Sequence, residues 1–190
     1  MLSRFPFPAP GELVVCKILS IQHGYVQVQL EDYGGLPDEE RAHGMVHISE
    51  LSNRWVKNIN SIVSIGQRIV LTVLRVNESR GYVDLSLRRV NKMQRKKVMN
   101  DWRYSQKLEG LLKFFASQHE MTLNELYEKA IWTLIDKFGT IRSAFETIKE
   151  DGLEKLKNIE DIDLSNEILE KLNELVQKNV TIAKINLIVE

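Results

Sequence analysis

The fold is decided by one stretch of seventeen residues, which reads Gly44-Met-Val-His-Ile-Ser-Glu-Leu-Ser-Asn-Arg-Trp-Val-Lys-Asn-Ile-Asn60. Its first part places apolar residues on both sides of His47, and this alternation predicts a short β-strand. The second part is polar, and we expect it to expose Ser52, Arg54 and Lys57 beside one large ring, Trp55. The pattern therefore predicts a strand that ends in a basic loop. We expect Trp55 to anchor that loop to the sheet.

Four other apolar runs flank this stretch and also predict strands. Two precede it, at Glu12 to Ile21 and at Tyr25 to Glu31, and two follow it, at Ile69 to Val76 and at Tyr82 to Leu87. These runs are rich in β-branched residues or alternate with polar ones, as half-buried strands do. Five short strands at this spacing are typical of a closed, five-stranded Greek-key barrel of the oligonucleotide-binding type, the OB-fold.

The apolar period changes after residue 89, where residues separated by three or four positions predict helices. The first predicted helix carries the inward-facing residues Met93, Val98, Trp102, Leu108, Leu111, Leu112 and Phe115. A capping box at Thr122-Leu-Asn-Glu125 predicts the start of a second helix, and Gly139 predicts its end. Two more helices are predicted, one at Ile141 to Lys149 and one that Asp163-Leu-Ser165 caps, with a short helical turn between them at Leu153 to Ile159. We expect these helices to pack on one another as an all-helical domain.

The domain organisation that follows has three parts. Residues 1–89 are predicted to form the barrel, residues 90–178 the helical domain, and residues 179–190 a single strand. A lone strand is not a stable unit. We therefore expect the sequence to stop inside a third domain.

The charge of the chain is balanced overall but segregated along the sequence. It has 26 basic and 26 acidic residues, and its net charge is zero. Between Arg68 and Lys113 there are twelve basic and four acidic residues, a local charge of +8, whereas the segment from Ala116 to the end has nine basic and fifteen acidic residues. A basic middle in a neutral chain indicates one anion-binding surface.

Neither a catalytic site nor a metal site is predicted. The four histidines, at positions 23, 43, 47 and 119, lack the spacing of metal ligands, and no glycine-rich phosphate loop is present. The acidic residues at 38–40 and at 160, 161 and 163 are expected to be solvated surface groups. We expect no catalytic residue, no metal and no cofactor.

The single cysteine and the lack of long apolar runs indicate a cytoplasmic protein. Cys16 lies in an apolar strand-like run, so we expect it to be a small buried hydrophobe. No apolar run approaches the roughly 20 residues that a membrane-spanning helix needs. Prolines interrupt the first ten residues where a signal peptide would need a continuous apolar core.

The candidate ligand-binding residues are rings and cations on and beside the predicted barrel. OB-fold proteins bind RNA by stacking bases on rings and by pairing cations with phosphates. The candidates are Tyr25, His47, Arg54, Lys57, Arg75, Arg88 and Arg89. Tyr25 could equally be a core residue, and His47 could be a strand residue with a local hydrogen bond. The basic run from Arg88 to Lys97 could be only a solvated helix face.

Three segments resemble the S1-type RNA-binding domain. They are Gly44-Met-Val-His-Ile-Ser-Glu-Leu-Ser52, Ile65-Gly-Gln67 and Gly81-Tyr-Val-Asp-Leu-Ser-Leu-Arg-Arg-Val90. With the continuation Trp55-Val-Lys-Asn-Ile59 and the helical segment around Ala130-Ile-Trp132, the chain is similar to one S1 family in particular. That family comprises the alpha subunits of archaeal and eukaryotic translation initiation factor 2.

This resemblance implies a function and a set of partners. It implies a non-catalytic subunit of a heterotrimer with beta and gamma subunits, in which gamma binds GTP and methionyl initiator tRNA is delivered to the small ribosomal subunit. The alpha subunit would contact initiator tRNA and the ribosome or mRNA, and a C-terminal α/β domain would bind gamma. Residues 179–190 would be the first strand of that domain, so we expect this chain to bind gamma poorly or not at all.

The resemblance also bears on single residues of the loop. Ser52 matches a serine that is phosphorylated in eukaryotic relatives, where three arginines follow it. Here Asn53-Arg54-Trp55 follows, so most of the basic run is lost. The Trp55-Val-Lys-Asn58 run and the absence of a long acidic tail point to an archaeal member. The excursion from Leu36 to His43 is longer than we expect for the family.

Two other hypotheses remain open from the sequence. The chain could be another S1-domain RNA-binding protein, such as a stalk subunit of RNA polymerase or an RNA-degradation cofactor. A third hypothesis is a hydrolase that uses the acidic residues of the loops.

Overall fold

The computed structural model describes residues 3, 5–33, 42–151, 162 and 169–176. The chain divides into two compact units, Met1–Trp102 and Arg103–Glu190. The division lies thirteen residues beyond residue 89, where the sequence pattern changes. It lies there because Val98, Met99 and Trp102, at the start of the first helix, pack on a cluster formed by Val15, Val70 and Val90.

The first unit contains a closed five-stranded barrel, and this confirms the predicted fold. Its strands are β1 (Leu13–Gln22), β2 (Tyr25–Leu30), β3 (His43–His47), β4 (Arg68–Asn77) and β5 (Tyr82–Ser86). Their order around the barrel is β1-β2-β3-β5-β4. The β3–β5 pair is parallel and the other pairs are antiparallel. Closure in this order leaves no free sheet edge.

The barrel core is built from the alternate residues that face inward. Val26, Val28 and Val46 are fully buried, and so is Cys16. Burial of the Cys16 thiol, together with the nearby negative charges of Glu31 and Asp32, raises its pKa well above the ordinary value. Cys16 is therefore the small buried hydrophobe that the sequence predicts.

At Gly44, β3 packs tightly against β5. A Cβ atom on Gly44 would lie 2.7 Å from the carbonyl oxygen of Val83 and 2.7 Å from Cδ1 of Leu85. The Leu85 side chain could shift, but the Val83 carbonyl belongs to the strand that β3 pairs with. The parallel pair that closes the barrel therefore requires glycine at this position.

The remaining described elements are helical. They are α1 (Lys92–Gln118), α2 (Leu123–Leu126), a π-helical turn (Tyr127–Ile131), α3 (Trp132–Phe138) and α4 (Ile141–Asp151), and residues 169–176 are also helical. The predicted capping box is present, because the Thr122 hydroxyl accepts the Glu125 N–H and the Glu125 carboxylate accepts the Thr122 N–H. Gly139, with a φ of 84°, ends α3 as predicted. The core of this unit includes Leu112, Leu134 and Phe145.

The structure differs from the predicted helices in two details. The second helix was expected to be continuous, but the π-helical turn divides it into α2 and α3. Met93 was expected to face inward, but this prediction is wrong because its side chain is 81% exposed. The predicted turn at 153–159, the cap at 163–165 and the strand at 179–190 lie outside the described residues, as does most of the 36–43 excursion. No described helix is both long enough and apolar enough to cross a membrane.

Candidate nucleic-acid interface

The loop that follows β3 is fastened to the barrel at both ends. A 3₁₀ turn, Ile48–Glu50, starts directly after the strand, and the His47 ring caps it by accepting the Ser49 N–H. Leu51 is then buried in the barrel core. A second 3₁₀ turn, Ile59–Ser61, closes the loop, and the Asn58 side chain caps it by accepting the Asn60 N–H at 3.0 Å.

Between these two fixed ends the loop exposes its cations and its ring. Arg54, Trp55 and Lys57 are all exposed, and Trp55 is exposed to 89%. The prediction that Trp55 anchors the loop is therefore wrong. Val56 packs against the barrel core instead. Val56 thus faces inward, whereas its two neighbours in the chain, Trp55 and Lys57, face solvent.

A cleft of about 840 Å³ lies between this loop and the turn that joins β1 to β2. The loop contributes Ser52, Arg54, Trp55 and Lys57 to its lining, and the turn contributes His23. The Ser52 hydroxyl accepts the Arg54 N–H at 3.1 Å, and this bond links two residues of the cleft lining. The structure thus brings the predicted residues Ser52, Arg54 and Lys57 together.

The two predicted rings lie side by side next to this cleft. Tyr25 of β2 is directly opposite His47 of β3 in the antiparallel ladder. Both are on the outer face of the barrel, because their neighbours Val26 and Val46 are buried inside it. Tyr25 is half-buried and His47 is exposed. His47 also makes the local hydrogen bond that was considered for it, since its Nδ1 lies 2.8 Å from the Ser49 hydroxyl.

The same outer face carries two further rings that the sequence analysis missed. His43, the first residue of β3, is exposed and pairs with Tyr82, the first residue of β5. The sequence analysis placed His43 in the polar excursion, and it treated Tyr82 only as the first residue of a strand. A stricter count of the strand alternation back from Val46 would have placed His43 on the outer face, on the same side as His47.

The other predicted cations are engaged in ion pairs. Arg75 donates to the Asp84 carboxylate at 3.0 Å. Arg88 and Arg89 both contact the Glu50 carboxylate, at 2.8 and 3.4 Å. Among the described residues no ion pair involves Arg54 or Lys57, and both side chains are exposed.

The Glu50 carboxylate forms ion pairs with both Arg88 and Arg89. Partial burial of its carboxyl acts to raise the pKa, but the Ser86 hydroxyl and the two guanidinium groups outweigh that effect and lower the pKa below its ordinary value. Glu50 therefore stays ionised at neutral pH. Its backbone carbonyl also accepts the N–H groups of Leu87 and Arg88, so the contact joins the loop to the end of β5.

The described residues show no arrangement suited to a metal. Among them, no three His, Cys, Asp or Glu side chains are placed so that they could hold a metal ion together. What this surface offers is rings, cations and a cleft, which is the chemistry of nucleic-acid binding.

Comparison with known proteins identifies the family of the chain. The S1 RNA binding domain family matches residues 8–88, so the barrel makes the chain an S1-domain protein. The eukaryotic translation initiation factor 2 alpha subunit family matches residues 126–189. Taken with the relatives described next, these matches show that the chain belongs to the family of translation initiation factor 2 alpha subunits.

Two similar relatives are archaeal. The chain is 35% identical to translation initiation factor 2 subunit alpha of Thermococcus onnurineus, over 95% of this chain and 62% of the relative. It is 36% identical to the same subunit of Methanobrevibacter smithii, over 92% of this chain and 63% of the relative. The chain thus spans less than two thirds of the length of these curated relatives.

Two solved structures share the fold. The intact alpha subunit of aIF2 from Pyrococcus abyssi matches with a TM-score of 0.80 and 31% identity, over 92% of this chain and 63% of that chain. A chain in the a/eIF2alpha-aDim2p-rRNA complex from Pyrococcus horikoshii matches with a TM-score of 0.77 and 32% identity, over 91% of this chain and 97% of that chain. These matches favour the initiation-factor family over the other S1 proteins that the sequence left open.

Proposed function

We propose that this chain acts in translation initiation as a non-catalytic alpha subunit, and that its barrel contacts single-stranded RNA. The RNA would belong to initiator tRNA, to the small ribosomal subunit or to mRNA. Support comes from the names of the archaeal relatives and from the complex of a similar chain that contains rRNA. We propose a cytoplasmic location for the same reason.

The protein partners belong to the same proposal. The beta and gamma subunits of initiation factor 2 would complete the assembly, and GTP would be bound by gamma rather than by this chain. The chain itself would need no cofactor. The name of the relatives, translation initiation factor 2 subunit alpha, supports an assembly with other subunits. The assignment of GTP to gamma rests on the family resemblance of the sequence.

One observation carries the RNA-binding part of the proposal. Arg54 and Lys57 line a cleft, are exposed, and have no carboxylate partner within the described part of the chain. The rings of Tyr25 and His47 lie next to that cleft on the outer face of the barrel. Arg75, Arg88 and Arg89 would contribute less, because an RNA phosphate would first have to displace Asp84 or Glu50.

Neutralising the two loop cations is expected to weaken RNA binding and to flatten its salt dependence. Each phosphate contact with a single strand contributes about 0.7 to the slope of log affinity against log salt. The double variant Arg54→Gln/Lys57→Gln should lose about 1.4 of that slope and bind about 10- to 30-fold more weakly near 0.1 M salt. Fluorescence anisotropy with a labelled 12-nucleotide RNA would measure both quantities.

A matched control removes the same number of charges elsewhere. Lys129 and Lys137 are exposed in the helical unit, so Lys129→Gln/Lys137→Gln changes the net charge equally. This variant should keep the wild-type slope. Equal losses in the two double variants would contradict a local site at the loop.

A further inference from the structure

The most exposed large apolar side chain among the described residues is Trp55, on a loop whose neighbouring residues are fixed. We propose that Trp55 is a stacking platform for one unpaired RNA base, and that the cleft beside it holds the nucleotide whose phosphate contacts Arg54 and Lys57. This inference rests on the proposed RNA-binding function and assigns a particular ligand to a particular part of the site.

The loop presents Trp55 in a defined position before any ligand binds. Leu51 and Ile59 are buried on either side of it, and Val56 packs on the barrel core directly after it. Capping hydrogen bonds from His47 and Asn58 fix the two 3₁₀ turns that bracket the loop. A ligand that stacks on Trp55 therefore does not have to order the loop first, which favours binding.

The cleft has the chemical character that a nucleotide needs. Ile21, Ile48 and Val56 supply an apolar surface, and the amides of Gln22, Asn58 and Asn60 supply hydrogen-bond donors and acceptors for base edges. A ring with two cations near it in the chain matches a base with its flanking phosphates. Duplex RNA does not match, because its bases are stacked inside the helix.

A protein ligand is the competing occupant of an exposed tryptophan. An acidic peptide could pair with Arg54 and Lys57, but this pairing would not use the side-chain amides of the cleft. RNA uses the ring, the cations and the amides together, and the rings of Tyr25 and His47 continue the same surface along the barrel. The observations therefore favour an unpaired base.

Substitutions of Trp55 separate stacking from charge. The ring is 89% exposed, so its replacement should not disturb the fold. Trp55→Ala is expected to weaken binding of a single-stranded 12-nucleotide RNA by about 5- to 150-fold with the salt slope unchanged. Trp55→Phe should keep most of the affinity, whereas Trp55→Leu, which is apolar but not aromatic, should lose nearly as much as the alanine variant.

An oligonucleotide with abasic sites gives the sharpest control. It keeps every phosphate and offers no base, so wild type and Trp55→Ala should bind it equally. RNA addition should also change the tryptophan fluorescence of the wild type and leave that of Trp55→Phe nearly unchanged, because Trp102 and Trp132 are only partly exposed and are in contact with other side chains.

Four outcomes would overturn the inference. The first is that Trp55→Ala binds single-stranded RNA with wild-type affinity. The second and third are that Trp55→Ala loses as much affinity for the abasic strand, or for duplex RNA, as it loses for the intact single strand. The fourth is that a poly-glutamate peptide changes the tryptophan fluorescence of the wild type and RNA does not. If the wild-type protein binds no RNA, the proposed function itself fails. If RNA binding depends on Arg54 and Lys57 but not on Trp55, only the stacking inference fails.

Discussion

Replacing Gly44 by valine is expected to lower the free energy of unfolding of the barrel by about 3 kcal/mol or more, at the top of the range for overpacked cores. Even the Cβ atom of alanine would lie 2.7 Å from the Val83 carbonyl oxygen, a backbone atom of the paired strand. Gly44→Ala should therefore cost about 1 to 3 kcal/mol. The effect can be measured by unfolding the protein in urea and using the reaction of Cys16 with a thiol reagent to detect unfolding of the barrel.

Gly110 provides the matched control for Gly44. It lies within α1, it is exposed, and a Cβ atom there would meet nothing within 4 Å. Gly110→Ala should stabilise the protein by up to about 1 kcal/mol, because alanine favours helix more than glycine does. Two glycine-to-alanine changes are thus expected to have opposite signs. A neutral or stabilising Gly44→Ala would show that the β3–β5 pairing is not as close as described.

Replacing Phe145 by alanine is expected to lower the free energy of unfolding of the helical unit by about 3 to 5 kcal/mol. Phe145 lies in α4, and its side chain is 2% exposed. The loss combines the transfer energy of the ring with the cavity that it leaves. The fluorescence of Trp132, whose ring contacts Tyr127 in the same unit, would follow this transition.

Phe114 provides the matched control for Phe145, because it is a phenylalanine with an exposed side chain. Its side chain is 58% exposed, so Phe114→Ala should change the free energy of unfolding by no more than about 0.5 kcal/mol. Cys16 protection and RNA affinity should stay at wild-type values in Phe145→Ala, because those properties belong to the barrel. Loss of Cys16 protection at the same urea concentration as the Trp132 transition would contradict two separate cooperative units.

The strands were predicted to within one or two residues because half-buried strands alternate, and this alternation is visible in the sequence. The capping box at Thr122 and Glu125 was predicted for a similar reason, since both partners lie within one turn. The π-helical turn at Tyr127–Ile131 was not predicted, because the buried residues Leu126, Ala130 and Leu134 keep the spacing of four that is typical of an α-helix.

The candidate site was predicted less completely because its geometry depends on residues far apart in the sequence. The contact between Glu50 and Arg88 spans 38 positions, so no local sequence pattern indicates that Arg88 is paired. The choice between Trp55 and Val56 as the anchor depends on which of two adjacent side chains faces the core. The sequence favoured the larger ring, but in the structure the smaller Val56 packs against the barrel.

The central claim is that single-stranded RNA binds to the loop after β3 and to the adjoining outer face of the barrel. Nuclear magnetic resonance of the isotope-labelled protein, titrated with a single-stranded 12-nucleotide RNA, tests it most directly. The account predicts that the largest amide shifts occur at residues 22–25 and 52–60. Shifts confined to the basic start of α1, or no shifts in the barrel at all, would contradict it.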